Sequence, residues 1–321
     1  CQETLLLYLT GLNQVKTALI LDPNNKNEPE ILFLAKCNEN HEFWEGKRIS
    51  IGNKNSIKTA AYITGFKDIR DIETLNEVIL EKLRKTGSKQ ISTYWHETTK
   101  GKKKVTKDSN FIFKNRLSRL LKNNGFTSTK INNISETAWK IRPEVDAEDK
   151  KNLLVANEKT ANLFRDLFDN WSKLKSETEV AGFIDGQIAV ATSFGNSFPT
   201  ITASGKNATT LHYRKNDQPL KESDLLLIDC GLRWHTMCTD VSRTIPISGK
   251  FNALQKLLYE IVLTAQKKVE AAVRPGITIL DLDKICWDFI NNEIQEKVIS
   301  KGGKFTKAYK EQPHKVGHLV G

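Results

Sequence analysis

A chain of 321 residues is long enough for two domains, and its 39 % hydrophobic content supports ordinary globular cores. No apolar run reaches the roughly 18 residues of a membrane helix; the first apolar stretch, residues 5–21, is broken by polar groups and Lys16 and reads as neither a signal peptide nor a span. The net charge of +11 is a footprint shared with nucleic-acid binders, but the basic runs at 83–89, 100–107 and 113–125 lack interleaved aromatics or a known motif, so they read as solvated faces and no nucleic-acid partner is expected.

In chain order, TALILDP (17–23) and EILFLAK (30–36) are strand-like. AAYITGF (60–66) and KQISTYW (89–95) are further strand candidates on either side of the helical pattern at 72–87. Residues 109–126 form an amphipathic helix ended by Gly125, and this alternation predicts an α/β domain. The boundary falls near Pro143, giving domains over 1–143 and 144–321. A long helical pattern spans 147–171, and a second opens with Ser176 and Glu179 at capping-box spacing. Strand blocks at 200–213 and 225–246 precede two helical patterns, 252–273 and 279–299, joined by the RPG turn. Helices outside an antiparallel sheet make the second domain α+β.

Asp229 and Asp240 lie in LLLIDCGLRWHTMCTDVSRTIP. A turn over residues 233–236 would pair them directly and project both carboxylates from one face. Like charges opposed in a ladder destabilise it, unless a divalent cation takes oxygens from both; two solvated aspartates are the alternative reading. TITASGKNATTLHY (200–213) reads as strand, GKN turn, strand, and carries His212. PHKVGHLVG ends the chain with His314 and His318 four apart on one face, and Gly317 favours a strand there. Lys315 after the first histidine rules out a zincin helix, which needs glutamate at that place. The acids Glu260, Glu270, Asp281 and Asp283 fall in helical patterns and read as solvated faces. Five scattered cysteines suggest neither a disulfide framework nor a zinc knuckle, which points to a reducing, cytoplasmic setting.

In this order, ASGKNATTLHY, LLLIDCG, TDVSRTIP, RPGITILDLD and PHKVGHLVG resemble the successive blocks of the pita-bread metallopeptidases, on their aminopeptidase P and prolidase branch. Residues 8–23 and 30–49 are similar to the creatinase-like accessory domain that precedes the catalytic domain in aminopeptidase P. The resemblance implies a pita-bread catalytic domain holding two divalent ions, manganese first, with zinc or cobalt as alternatives. Asp229 would ligate one ion, Asp240 would bridge both and His318 would ligate the second, with two further glutamate ligands expected beyond Gly321. The chain also starts at Cys1 without a methionine, so it reads as part of a longer protein. His212 would be the catalytic group beside the scissile bond, and His314 would line the proline pocket. The implied activity is hydrolysis of the bond between an amino-terminal residue and a following proline by a hydroxide held between the ions, in a homo-oligomer (dimer or tetramer). Prolidase, which cleaves only dipeptides, and a non-catalytic pita-bread binding protein are the alternatives.

Overall fold

The structure is a computed structural model that describes residues 4–52, 54–95, 109–141, 144–302 and 314–318. The chain divides into two compact units, Cys1–Glu144 and Val145–Gly321. The basic run at 100–107 and Pro143 lie outside the described residues.

The first unit alternates helix and strand. After α1 (Thr4–Thr10), β1 (Ala18–Leu21) runs antiparallel to β2 (Glu30–Leu34). Next come α2 (Glu39–Glu45) and α3 (Lys54–Thr64), and β3 (Ile69–Asp71) then lies parallel to β2 on its other side. Ile31, Leu32, Phe33 and Leu34 are all fully buried, the signature of a central strand covered on both faces. α4 (Leu75–Thr86), β4 (Gln90–Thr93), α5 (Ser109–Asn123), β5 (Lys130–Asn133) and α6 (Ser135–Ile141) complete the unit, with β4 parallel to β5. Arg116, Arg119 and Lys122 on α5 are exposed, as a solvated face requires. The α/β expectation holds, with one correction. AAYITGF is not a strand: its first five residues are the last of α3, Ala60 is buried while Tyr62 and Ile63 face out, and Gly65 at φ 77° stops the helix. A short apolar run does not distinguish the two periods.

The second unit opens with α7 (Ala147–Asp169), whose amino terminus is closed by an Asp146–Asp149 capping box. α8 (Glu177–Ala191) follows, capped by Ser176. Glu179 does not complete the predicted box; its carboxylate accepts from the Lys175 N–H, one residue further back. Then come β6 (Ile201–Ser204), β7 (Leu225–Cys230), the short pair β8 (Arg233–Trp234) and β9 (Met237–Cys238), and β10 (Val241–Pro246), before α9 (Ala253–Ala272) and α10 (Ile279–Lys297). β7 lies between β10 and β6, antiparallel to both. Its alternate residues Leu226, Ile228 and Cys230 are fully buried against Leu163 and Leu167 of α7 and Val180, Ile184 and Ile188 of α8. Each such aliphatic side chain contributes about 1.5–3 kcal/mol of burial. That packing fixes which face of β7 meets the helices, and strand alternation puts Asp229 on the other.

Candidate active site

Asp229 sits on the central strand, opposite Ser242 of β10 and Ile201 of β6. It is not directly opposite Asp240, because the turn is shorter and lies one residue later than the sequence suggests. Arg233 pairs with Cys238 and Trp234 with Met237, so His235 and Thr236 alone make the turn, with His235 at φ 54°. Moving the turn centre by one residue moves the register by two, and a shift of two keeps the face. Asp240 immediately precedes β10 and Asp229 still senses it: burial, opposed by the Ser242 hydroxyl and by His212 and reinforced by the Asp240 charge, holds the Asp229 carboxyl above the usual range. Asp229 Oδ1 is buried and has no hydrogen-bond partner.

Between the two aspartates the backbone is drawn tight at Gly231. A Cβ there would lie 1.8 Å from the Thr239 carbonyl oxygen, so no other residue fits without moving the strand. Thr239 locks the same crossing: its hydroxyl accepts from the Leu232 N–H at 3.0 Å and lies 2.8 Å from the Thr160 hydroxyl of α7.

His212 departs from its predicted setting. Only the first half of 200–213 is a strand; GKN falls in a 3-10 turn, Gly205–Thr209, and His212 is exposed in the turn that follows. The cause is Glu177, which the sequence reading passed over. This fully buried carboxylate accepts from the Ser204 N–H (2.6 Å), the Ser204 hydroxyl (2.7 Å), Asn207 Nδ2 (3.1 Å), the Tyr213 hydroxyl (2.9 Å) and the Gln218 N–H (3.1 Å). Gathering donors from 204 to 218 around one acid curls the segment and ends its strand. Burial and the Glu177 charge push the Tyr213 hydroxyl up to about 12, so it stays a donor.

The segment 314–318 is a series of bends rather than a strand. His318 Nε2 lies 3.0 Å from Asp240 Oδ2, and the exposed His314 has its Nδ1 2.6 Å from the Lys315 carbonyl. Asp283, expected on a solvated face, is 1 % exposed and holds this segment; Asp281 serves as the third residue of the α10 capping box, while Glu260 and Glu270 are exposed as expected. Burial works to raise the Asp283 carboxyl, but Lys315, the Val316 N–H and His314 together hold it below the usual range.

The structure thus brings Asp240 to His318 and places Asp229 within electrostatic reach of Asp240 and His212. It does not gather three ligating side chains around one point among the described residues. A divalent cation nevertheless fits the chemistry at Asp229, whose partnerless buried oxygen is the kind of atom a hard cation takes. No helix among the described residues is long and apolar enough to cross a membrane.

An antiparallel sheet backed by helices, with acids on its open face and an α/β unit before it, places the chain in the pita-bread class. The low-pH form of aminopeptidase P from Escherichia coli has the same fold, with a TM-score of 0.78 at 21 % identity over 93 % of this chain and 65 % of that one. The chain belongs to metallopeptidase family M24, whose family model matches residues 151–321, and residues 1–91 match the aminopeptidase P N-terminal domain. Xaa-Pro aminopeptidase 3 of Mus musculus is 24 % identical over 328 residues, and that of Dictyostelium discoideum is 27 % identical over 334. Both alignments cover 100 % of this chain, which spans 61 % and 60 % of those relatives.

Proposed function

We propose that this chain serves metal-dependent hydrolysis of the peptide bond between an amino-terminal residue and a following proline, as in an Xaa-Pro aminopeptidase. The observation that carries the reading is Asp229 on the central strand, with a buried oxygen that has no partner and with Asp240 and His212 within electrostatic reach of its carboxyl. Asp229, Asp240 and His318 would hold the metal. The oxygen-rich donor set favours manganese. When bound, two divalent ions make water nucleophilic near neutral pH and polarise the scissile carbonyl.

The protein's own groups do the rest. His212 stands on an exposed turn near Asp229, where a ring N–H can donate to the substrate carbonyl or its developing oxyanion. His314 lines the pocket for proline, whose tertiary amide offers no N–H and is recognised by ring shape. The cytoplasm suits a chain whose buried Cys230 thiol is pushed up to about 12 by desolvation and stays an inert, reduced side chain beside Asp229.

Two variants of the full-length protein test this reading. Asp240→Asn is expected to abolish hydrolysis of Xaa-Pro peptides and to weaken metal retention, checked by elemental analysis and peptidase assay together. Normal metal content and turnover would overturn the site. His212→Ala is expected to lower kcat by roughly 10² to 10⁴ with metal content intact; loss of metal would make it a ligand instead.

A further inference from the structure

The segment 314–318 carries two of the proposed functional histidines; His318 meets Asp240, and the two residues between the histidines that make polar contacts, Lys315 and Val316, both meet Asp283 of α10. The Val316 N–H donates to Asp283 Oδ1 at 2.8 Å. The Lys315 ammonium lies 2.7 Å from Asp283 Oδ2, an ion pair without hydrogen-bond alignment. Gly317 passes over the helix beside Ile279, where an added Cβ would come within 4.0 Å of the Ile279 Cδ1. Val316 is two residues from His314 and two from His318, so the contact falls midway between them.

Exposure sets the direction of the dependence. The Asp283 side chain is 2 % exposed and that of Lys315 is 52 %. A buried carboxylate without partners is strongly destabilising, whereas a half-exposed lysine loses little in water. The acid therefore has its partners only while residues 315 and 316 lie on α10, and it holds the segment between the histidines while Asp240 meets the segment at His318.

We propose that Asp283 is a positioning residue that sets where His314 and His318 stand, by gripping the backbone between them. This rests on the reading of His318 as a metal ligand and His314 as a substrate-pocket group. The contacts of Asp283 are with the Val316 N–H and the Lys315 ammonium, and it acts through these two residues.

The test uses the full-length protein and the variants Asp283→Ala, Asp283→Asn and His318→Ala. Manganese affinity is measured by titration of the metal-free protein, KM and kcat on an Xaa-Pro-Yaa peptide, and Tm by calorimetry. Asp283→Ala is expected to weaken manganese binding by about 10- to 100-fold, the range found when groups that orient metal ligands are removed, and to raise KM. Asp283→Asn keeps an acceptor for the Val316 N–H and is expected to recover part of that loss. A tie that only stabilises the fold would lower Tm without moving manganese affinity or KM at temperatures well below it, and that result overturns the proposal. If the alanine variant does not fold, the asparagine variant decides: weaker manganese binding supports the proposal and unchanged binding overturns it. Full manganese affinity in His318→Ala would overturn the ligand reading, and with it this proposal. Loss in that variant with none in Asp283→Ala would overturn the positioning role alone.

Discussion

The five groups that donate to Glu177 are all neutral, so its charge is held inside the second unit by hydrogen bonds alone. Desolvation works to raise its pKa, yet the donors win and hold it below the usual glutamate range. A carboxyl depressed in the folded state contributes stability that is fully present above its unfolded pKa and is lost as pH falls through the folded one. Glu177→Gln is therefore expected to flatten the acid limb of stability against pH, read by urea unfolding from neutrality to below the ordinary glutamate pKa. At neutral pH it should destabilise by about 1–3 kcal/mol, because an amide NH2 set among donors leaves buried groups unsatisfied. It should also lower turnover by loosening the turn that carries His212. The sequence showed Ser176 and Glu179 as a cap pair and gave no sign of Glu177, which occupies the first helical position between them. Asp283 did leave a sign. It falls on the apolar stripe of α10 with Ile279, Cys286 and Ile290, and an acid on such a stripe is either misplaced or held. Judging the acids of that helix by their solvated majority concealed it.

Two glycine substitutions separate backbone crowding from helix propensity in the second unit. Gly231→Ala would drive a Cβ into the Thr239 carbonyl, between the strand bearing Asp229 and the residue before β10. It is expected to cost at least about 1–3 kcal/mol and to weaken manganese binding, measured by denaturation and titration. Gly182→Ala, on the exposed side of α8 where an added Cβ meets nothing within 4 Å, should stabilise by about 0.5–1 kcal/mol and leave metal binding alone. The helices α4, α5 and α7 to α10 and the strands β1, β2, β7 and β10 were legible because each repeats its period over enough residues. The turn centre was not, since two residues with His235 in the left-handed region close a hairpin as well as four residues do. The curl after β6 was not legible either, because its cause is an acid far back in the sequence.

For the molecule as a whole, the order of the five motifs and the accessory unit ahead of them were legible, while the meeting of Asp240 with His318 required the fold. Specificity belongs to this scale. An aminopeptidase admits a chain beyond proline, whereas a prolidase closes around a dipeptide's carboxylate. The full-length, metal-loaded protein is expected to cleave Xaa-Pro-Yaa and longer peptides at the Xaa-Pro bond and dipeptides poorly, measured by comparing kcat/KM across the series. Cleavage of dipeptides alone would reassign it to prolidase; cleavage of neither, with no metal bound, would make it a binding protein.

A cation on the partnerless oxygen of Asp229 would bear on stability as well as on the proposed hydrolysis. A cation that binds only the folded chain stabilises it by mass action, by about 2.7 kcal/mol at a free concentration one hundred times Kd. Chelation should accordingly lower Tm before any substrate is present. With such a site, the protein's abundance in a cell is expected to follow the supply of its divalent cation, because molecules that emerge while the cation is scarce spend more time open and are degraded sooner.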